Sequence, residues 1–569
     1  VRVIPAKAGI QKILGLTQKL DPRFHEDDDF CKSLYLMIFC ESIKHKYCFE
    51  FVTPEDTTMT QLKKLPLGIQ TFEKIRSDDY LYIDKTEQIK HLIDTGGYYF
   101  LSRPRRFGKS MLVSTLQALF EGRKELFEGL YIYDKWDWDI TYPVIKISFG
   151  GVARDLESMY RMVGSIMKYN QEKLGIECEY PESGGVCLEE MIRRAYKKYD
   201  QKVVILVDEY DKLIVDNLDQ LEVAKQGREV LRDLYTTIKN CDEYIKFAFL
   251  TGVSKFSKVS VFSGLNNLED ITLNPDFATI CGYTQNDLET NFSEHLAGVD
   301  MDKVREWYNG YNFLGDKVYN PFDILLFVKN KHIYRNYWFA TGTPTFLIKL
   351  IEKNNYYIPQ LDNLRVSEML IDSYDIDNIK LEPLLLQSGY LTIKEQKQLS
   401  YGVEYILGFP NKEVAISFND QIAQTLTDTN VAANKGQLFE TLENAELDRL
   451  HQVLVAMFAS IPHNNYTKNT ISHFEGYYAS VVYAFFASLG LDLRVEDPTN
   501  TGRIDMTVKI GEWIYILEFK VDDSGNALEQ IKEKKYHLKY QDQDKDIYLI
   551  GIHFDSTKRN ISSFEWEKV

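Results

Sequence analysis

At 569 residues the chain is too long for one ordinary hydrophobic core, and about 150 residues per domain suggests roughly three or four domains. Its 44% hydrophobic, 27% charged and 13% aromatic composition, with 32 Gly and 15 Pro, excludes a mainly disordered or collagen-like protein. A net charge of −17, from 67 basic and 84 acidic residues, excludes non-specific polyanion binding by the surface as a whole, so any nucleic-acid contact requires a local basic patch.

Apolar runs are short. The longest candidate, VVYAFFASLGL, falls below the roughly 18 residues of a bilayer-spanning helix, which predicts a cytoplasmic protein without a membrane partner. Seven cysteines (Cys31, Cys40, Cys48, Cys178, Cys187, Cys241, Cys281) are odd in number and contain no Cys-x-x-Cys pair. They read as reduced, mostly buried thiols, with neither a disulfide frame nor a zinc site. The chain opens at Val1 with VRVIPAKAGIQ, which has neither the long apolar core nor the cleavage pattern of a signal peptide. Residues 21–58 keep no sustained period, and a coherent pattern begins at LKKLPLGIQTFEKIRSDDYLYIDKT, just after Met59. Met59 is therefore the expected native start, with residues 1–58 an upstream extension.

The segment GGYYFLSRPRRFGKSMLVSTLQALF combines a short apolar run, a turn containing Pro and Gly, and apolar residues at helical spacing from Lys109 onward. Gly-Lys-Ser at the start of a helix after a strand is the arrangement that holds phosphate on backbone N–H groups and a helix amino terminus. Lys109 would reach the β- and γ-phosphates, and Ser110 would ligate Mg²⁺. The spacing departs from G-x-x-x-x-G-K-[ST] at the first glycine, where Arg103 stands. Either the loop turns differently or Pro104 shapes it. Arg103, Arg105 and Arg106 add positive charge, and Phe107 with Gly108 completes the expected nucleotide-binding stretch.

Downstream, KVVILVDEYDKLI holds five consecutive apolar residues, Val203 to Val207, as a parallel strand buried on both faces requires. Its end places Asp208 and Glu209 where α/β folds bind ligands. Asp208 is the expected Mg²⁺ partner, and Glu209 the residue that orients or activates the attacking water. A solvated strand end explains the charge alone, but not its pairing with the phosphate loop upstream. A third strand, YIKFAFLTGVSKFS, ends in Thr251, Ser254 and Lys255, which could sense the γ-phosphate. A hydroxyl there could equally cap a turn.

These segments, with FLTGVSKFSKVSVFSGLNNLEDIT and EWYNGYNF, closely resemble the bacterial AAA-ATPase-like family, whose members often carry a PD-(D/E)XK nuclease domain at the carboxyl end. The resemblance runs from about residue 64 to the end, and it implies ATP binding with hydrolysis. RPRRFGKS looks typical of that family. The expected division is an extension over 1–63, an AAA-like P-loop ATPase over 64–284, a middle region over 285–450 and a nuclease-like domain over 451–569.

In the middle region WYNGYNF and VYNPFDILLF are aromatic-rich, and Trp307, Tyr308 and Tyr311 are expected to pack a helical lid on the ATPase core. LEPLLLQSGYLTIKEQ and YGVEYILGFPNKEV read as a helix, a Gly turn and a two-stranded hairpin, similar to a winged helix. With Lys380, Glu382 and Gln387 in place of a basic recognition helix, this module reads as an intramolecular packing unit.

The last hundred or so residues carry a second chemistry. ISHFEGYYASVVYAFFASLGL is an apolar helix with Glu475 near its start. GRIDMTVKIGEWIYILEFKVD pivots about Gly511, and a hairpin centred there places Asp505 nearly opposite Glu518. Opposed carboxylates repel, so a divalent cation with oxygen ligands, Mg²⁺ or Mn²⁺, is the natural compensation. Period-two alternation puts Lys520 on the face of Glu518, where a cation can stabilise charge developing on a phosphodiester. A solvated surface hairpin is the alternative, but flanking WIYIL implies a buried strand.

Carried over residue by residue, the resemblance makes Glu475 the helical acid, Asp505 the first strand acid, and Glu518 with Lys520 the E-x-K pair. Gln530 and Tyr536 match the Gln…Tyr of RecB-like members, and Ile504 replaces the usual Pro. The helix from Glu529 to Tyr540 carries Lys532, Lys534, Lys535 and Lys539 and offers the best local basic patch, although a solvated face explains it equally well.

The expected fold class is α/β: a P-loop NTPase, a helical and winged-helix-like middle region, and a restriction-endonuclease-like domain. The expected function is an ATPase coupled to a Mg²⁺-dependent nuclease, with DNA favoured over RNA and oligomerisation open. The alternative is an ATP-dependent signalling or assembly switch whose carboxyl-terminal domain binds nucleic acid or a partner without cleaving.

Overall fold

The computed structural model describes residues 62–255, 267–341, 347, 351, 357–371, 380–427, 431–461, 475–522 and 525–569. Met59, Cys31, Cys40 and Cys48 lie outside them. Strands β1 (Tyr98–Ser102), β2 (Val144–Ser148), β3 (Val203–Asp208), β4 (Ile245–Gly252) and β5 (Leu268–Asp270) form one sheet in the order β2-β3-β4-β1-β5. Every pairing in it is parallel. The apolar run expected at Val203–Val207 is β3, buried at every residue between β2 and β4. Such burial needs cover on both faces. The helices of this half include α1 (Phe72–Ser77), α2 (Thr86–Thr95), α3 (Lys109–Phe120), α4 (Leu156–Leu174), α5 (Gly184–Tyr199) and α6 (Leu221–Asn240). Helix α3 turns Leu112, Val113, Leu116, Leu119 and Phe120 inward.

The cysteines require one correction. Cys178, in the segment that follows α4, is joined as a disulfide to Cys187 of α5, whereas Cys241 and Cys281 are free and buried. No spacing motif marks this pair, because the turn between the two helices brings it together.

In the middle region α7 (Gln285–Asn291), α8 (Met301–Tyr308) and α9 (Pro321–Lys329) surround their own core, which includes Phe292, Val304, Tyr308 and Phe327. Tyr311 joins the main core instead, its ring 4.8 Å from that of Phe107, and Trp307 packs at the edge of the smaller core. The aromatic segment thus clasps the phosphate loop from behind.

Strands β6 (Leu364–Ser367), β7 (Thr392–Leu399) and β8 (Gly402–Gly408) form an antiparallel sheet in the order β6-β8-β7, preceded at the hairpin by α10 (Leu381–Ser388). Helix, glycine turn and hairpin appear as expected. Gly389 ends α10 at φ +91°, and a Cβ there would lie 2.7 Å from Pro104, so the close approach to the phosphate loop also demands glycine. Gln387 Oε1 accepts from the Lys255 N–H at 2.8 Å, which ties this module to the segment that follows β4. Helices α11 (Lys412–Thr427), α12 (Val431–Glu443) and α13 (Leu447–Ala459) follow.

The carboxyl-terminal part begins with α14 (Glu475–Ser488) and continues through β9 (Asp492–Pro498), β10 (Arg503–Ile510), β11 (Trp513–Val521), α15 (Ala527–Glu533), β12 (Asp546–Asp555) and β13 (Asn560–Lys568). The sheet order is β13-β12-β11-β10-β9, with β11 and β12 parallel and the other neighbours antiparallel. Ile531 of α15 packs with Ile504, Ile514, Ile516 and Leu549, while Tyr478 of α14 stacks on Phe554 at 4.4 Å. The basic helix expected over Glu529–Tyr540 is broken, since Lys535 adopts φ +53° between α15 and a 3₁₀ turn, Tyr536–Tyr540. Two of its lysines are already engaged, Lys532 by Glu567 and Lys539 by Asp497. Among the described residues, no helix is long and apolar enough to cross a membrane.

Candidate active sites

The first site lies at the carboxyl ends of β1 and β3. Arg106 (φ +70°) and Gly108 (φ +92°) turn the loop after β1 into α3. A turn of this kind aims successive backbone N–H groups to one side. Arg105, Arg106, Gly108, Lys109 and Ser110 line a cavity of about 460 Å³, faced by Glu209, Asp211 and Lys212. Lys109 Nζ donates to the carbonyls of Arg103 (2.8 Å) and Pro104 (2.9 Å). Burial lowers its pKa, opposed chiefly by the charge of Asp208.

Asp208, 4% exposed at the end of β3, accepts on Oδ1 from the Thr251 hydroxyl at 2.9 Å. Glu209 sits at φ +55° with its carboxylate 3.9 Å from Lys212 Nζ, on the cavity wall. Of the three polar groups expected beyond β4, Thr251 reaches Asp208. Lys255 pairs instead with Asp270 at 2.6 Å, and the Ser254 carbonyl accepts from the Tyr210 hydroxyl.

Arg103 departs from its expected role. It is fully buried and donates to the carbonyls of Ser102, Thr272 and Phe277, with its guanidinium 3.8 Å over the Phe313 ring. Burial pushes it down to about 10, still charged at neutral pH. It braces the loop from behind, and Arg105 and Arg106 are the arginines on the cavity wall. Phe107 is likewise an anchor, buried against Tyr311 and Phe313.

Several groups escaped the sequence. Asp211 is buried and accepts from the N–H groups of Val253 and Ser254. The Arg105 carbonyl accepts from Trp338 Nε1 at 3.1 Å and Asn320 Nδ2 at 3.5 Å. Pro66, Ile69, Ile83 and Phe322 are among the apolar residues lining the cavity. The strand-end acid Asp211 carried a usable signal in DEYD; the others are long-range contacts with none.

The second site lies on the β10–β11 hairpin. The two strands pair Met506↔Leu517 through Ile510↔Trp513 around Gly511, at φ +50°. Extending that register sets Asp505 against Glu518, as expected. Asp505 Oδ2 accepts from the Phe519 N–H at 2.8 Å. Glu518 is 1% exposed; its Oε1 accepts from Gln530 Nε2 and lies 3.5 Å from Lys520 Nζ. Tyr536 is buried next to this group; burial raises its pKa, with the charge of Glu518 second and the Gln530 hydrogen bond opposing. A Cβ at Gly502 would lie 2.8 Å from the Tyr536 hydroxyl, so the strand entry fits tightly over that ring.

Asp505, Glu518, Lys520, Gln530 and Tyr536 are thus brought together. Lys534 is exposed, and its carbonyl accepts from the Thr501 hydroxyl. Glu475 is the first residue of α14, and its side chain lies outside the described residues. Among the described residues no three His, Cys, Asp or Glu side chains converge as a metal site. The donors that are described would suit a hard divalent ion, since Asp505 and Glu518 offer carboxylate oxygens of like charge on one face. At the first site, Ser110 and Asp208 likewise offer oxygen donors.

The family model described as "Predicted AAA-ATPase" matches residues 66–262, and that of the PD-(D/E)XK nuclease superfamily matches 473–564. A protein of Azotobacter chroococcum mcd 1, described as an uncharacterized protein in the vnfD 5′ region, is 45% identical over 514 residues, 89% of this chain and 99% of its own length. The chain belongs to the AAA-ATPase-like family. In this AAA-ATPase-like protein the first match spans β1 to β4 with the phosphate loop, and the second spans α14, β9 to β12 and most of β13.

Proposed function

We propose that the protein is an ATP-hydrolysing, ATP-gated nuclease that cleaves phosphodiester bonds of nucleic acid, DNA in preference to RNA. Lys109, the loop N–H groups and Arg105 with Arg106 bind the phosphates of ATP, and Ser110 with Asp208 would hold Mg²⁺. Glu209 orients the attacking water. At the second site Asp505 and Glu518, with Glu475, would hold Mg²⁺ or Mn²⁺. When bound, such ions would supply charge neutralisation at the phosphate and acidify a water. Gln530 keeps Glu518 in place, and the Lys520 ammonium stabilises charge on the departing phosphate oxygens.

The observation that carries this reading is the Glu518–Lys520–Gln530 constellation opposite Asp505 on a buried strand. A module that merely binds has no use for buried, opposed carboxylates. Gating is supported by a run of contacts. Glu413, at the start of α11, accepts from the N–H groups of Trp338 (2.8 Å) and Phe339 (3.3 Å), and the Trp338 indole holds the Arg105 carbonyl. Helix α11 then lies along α14, which begins at Glu475, in the most extensive helix–helix contact among the described residues.

Single- and double-stranded DNA and RNA incubated with purified protein and Mg²⁺ or Mn²⁺ test the proposal. Cleavage should fall at least a hundredfold in Lys520→Ala, with ATP binding unchanged. Cleavage by Lys520→Ala equal to wild type would refute the nuclease assignment. ATP turnover without cleavage of any substrate would leave the signalling switch.

A further inference from the structure

Two segments at the edge of the ATP cleft interlock more closely than hydrolysis chemistry alone requires. One is Asp208–Asp211, leaving β3; the other is Thr251–Ser254, leaving β4. Asp211 Oδ2 accepts from the N–H groups of Val253 (3.1 Å) and Ser254 (2.6 Å). Tyr210 closes the other side: its N–H donates to the Thr251 carbonyl (2.9 Å) and its hydroxyl to the Ser254 carbonyl (2.8 Å). Gly252 lies between them, where a Cβ would fall 2.4 Å from the Tyr210 ring and 2.7 Å from Asp211 Oδ1. At the head of the clasped loop, the Thr251 hydroxyl donates to Asp208 Oδ1. Asp211 is 2% exposed, and Asp211 and Val253 both line the cavity.

A carboxylate that accepts two backbone N–H groups fixes a loop firmly, because both bonds are charge-assisted. The loop so fixed holds one oxygen of Asp208 through the Thr251 hydroxyl. We infer that Asp211 is a positioning residue for ATP hydrolysis: it locks the Thr251–Ser254 loop so that Thr251 sets the orientation of Asp208. This deepens the ATPase reading above and rests on it. The effect of Asp211 passes through Thr251, which stands on the loop it clamps. The same loop ends at Lys255, whose N–H is gripped by Gln387 of the middle region, so its position is also set from outside the ATPase sheet.

The experiment compares full-length wild type, Asp211→Asn, Thr251→Val and the double variant. It reads kcat and KM for ATP, Tm, and hydrogen exchange at the Val253 and Ser254 amides. Asp211→Asn should lower kcat at least tenfold while KM stays within about threefold and Tm is retained, and the two amides should exchange at least tenfold faster. Because both residues act through Asp208, the double variant should lose no more than the worse single variant. Wild-type kcat in Asp211→Asn, or losses that multiply in the double variant, would overturn the inference. So would a kcat loss that merely follows a falling Tm. If wild type itself turns over no ATP, the ATPase reading fails with it; unchanged amide exchange beside active wild type sinks the inference alone.

Discussion

Asp323 of α9 and Glu413 of α11 are both fully buried and adjoin each other. Burial raises Asp323 well above the usual carboxylate range, and the neighbouring Glu413 adds to it. Glu413 is pushed up to about 7 by burial, opposed by the Asp323 hydrogen bond and by the N–H groups of Phe339 and Trp338. Both groups therefore bind protons in the folded state that the unfolded chain releases near pH 4. Their contribution to stability is fully present below about pH 4 and is lost as pH rises, for Glu413 through its folded pKa of about 7 and for Asp323 through its own raised one. Asp323→Asn removes one titrating partner, so its Tm relative to wild type should be higher at pH 8 than at pH 4. An equal difference at both pH values would exclude the pair as a source of pH dependence. Nothing in the sequence announced this pair, since the two residues lie in different helices and meet only on folding. Arg103 was misread for a related reason: its neighbours suggest a phosphate site, whereas the carbonyls that take up its charge come from residues 272–278. The loop needs no glycine at that position, because the left-handed turn falls at Arg106 and Gly108.

At the scale of elements, the two β-rich sites were legible because their signals are local. An unbroken apolar run gave β3, and a two-residue turn at Gly511 set the β10–β11 register that opposes Asp505 and Glu518. Tertiary overrides were not legible: the break of the basic helix at Lys535, the Cys178–Cys187 bridge and the braces on the phosphate loop. The last of these has a measurable consequence. Trp338→Phe keeps an aromatic ring among Tyr311, Phe339 and Tyr390 but removes the N–H that holds the Arg105 carbonyl. One such hydrogen bond contributes about 0.5–1.5 kcal/mol, so ATP affinity should fall by about two- to tenfold. Titration of a fluorescent ATP analogue checks this, and unchanged affinity would show that the brace does not shape the phosphate loop.

At the scale of the whole molecule, the two candidate sites sit on separate sheets joined by a middle region that touches both. The wing-like module grips Lys255 through Gln387, and α11 joins the aromatic clasp to α14. A contiguous run of contacts permits coupling but does not measure it. ATP can shift nuclease activity only as far as it binds one arrangement of this middle region better than another. The most direct test is the rate of Mg²⁺-dependent cleavage by wild type and Lys109→Ala, each with and without ATP. The account predicts that ATP changes the wild-type rate at least tenfold and leaves the Lys109→Ala rate unaltered. Equal wild-type rates with and without ATP, at nucleotide concentrations shown to saturate the cleft, would contradict it.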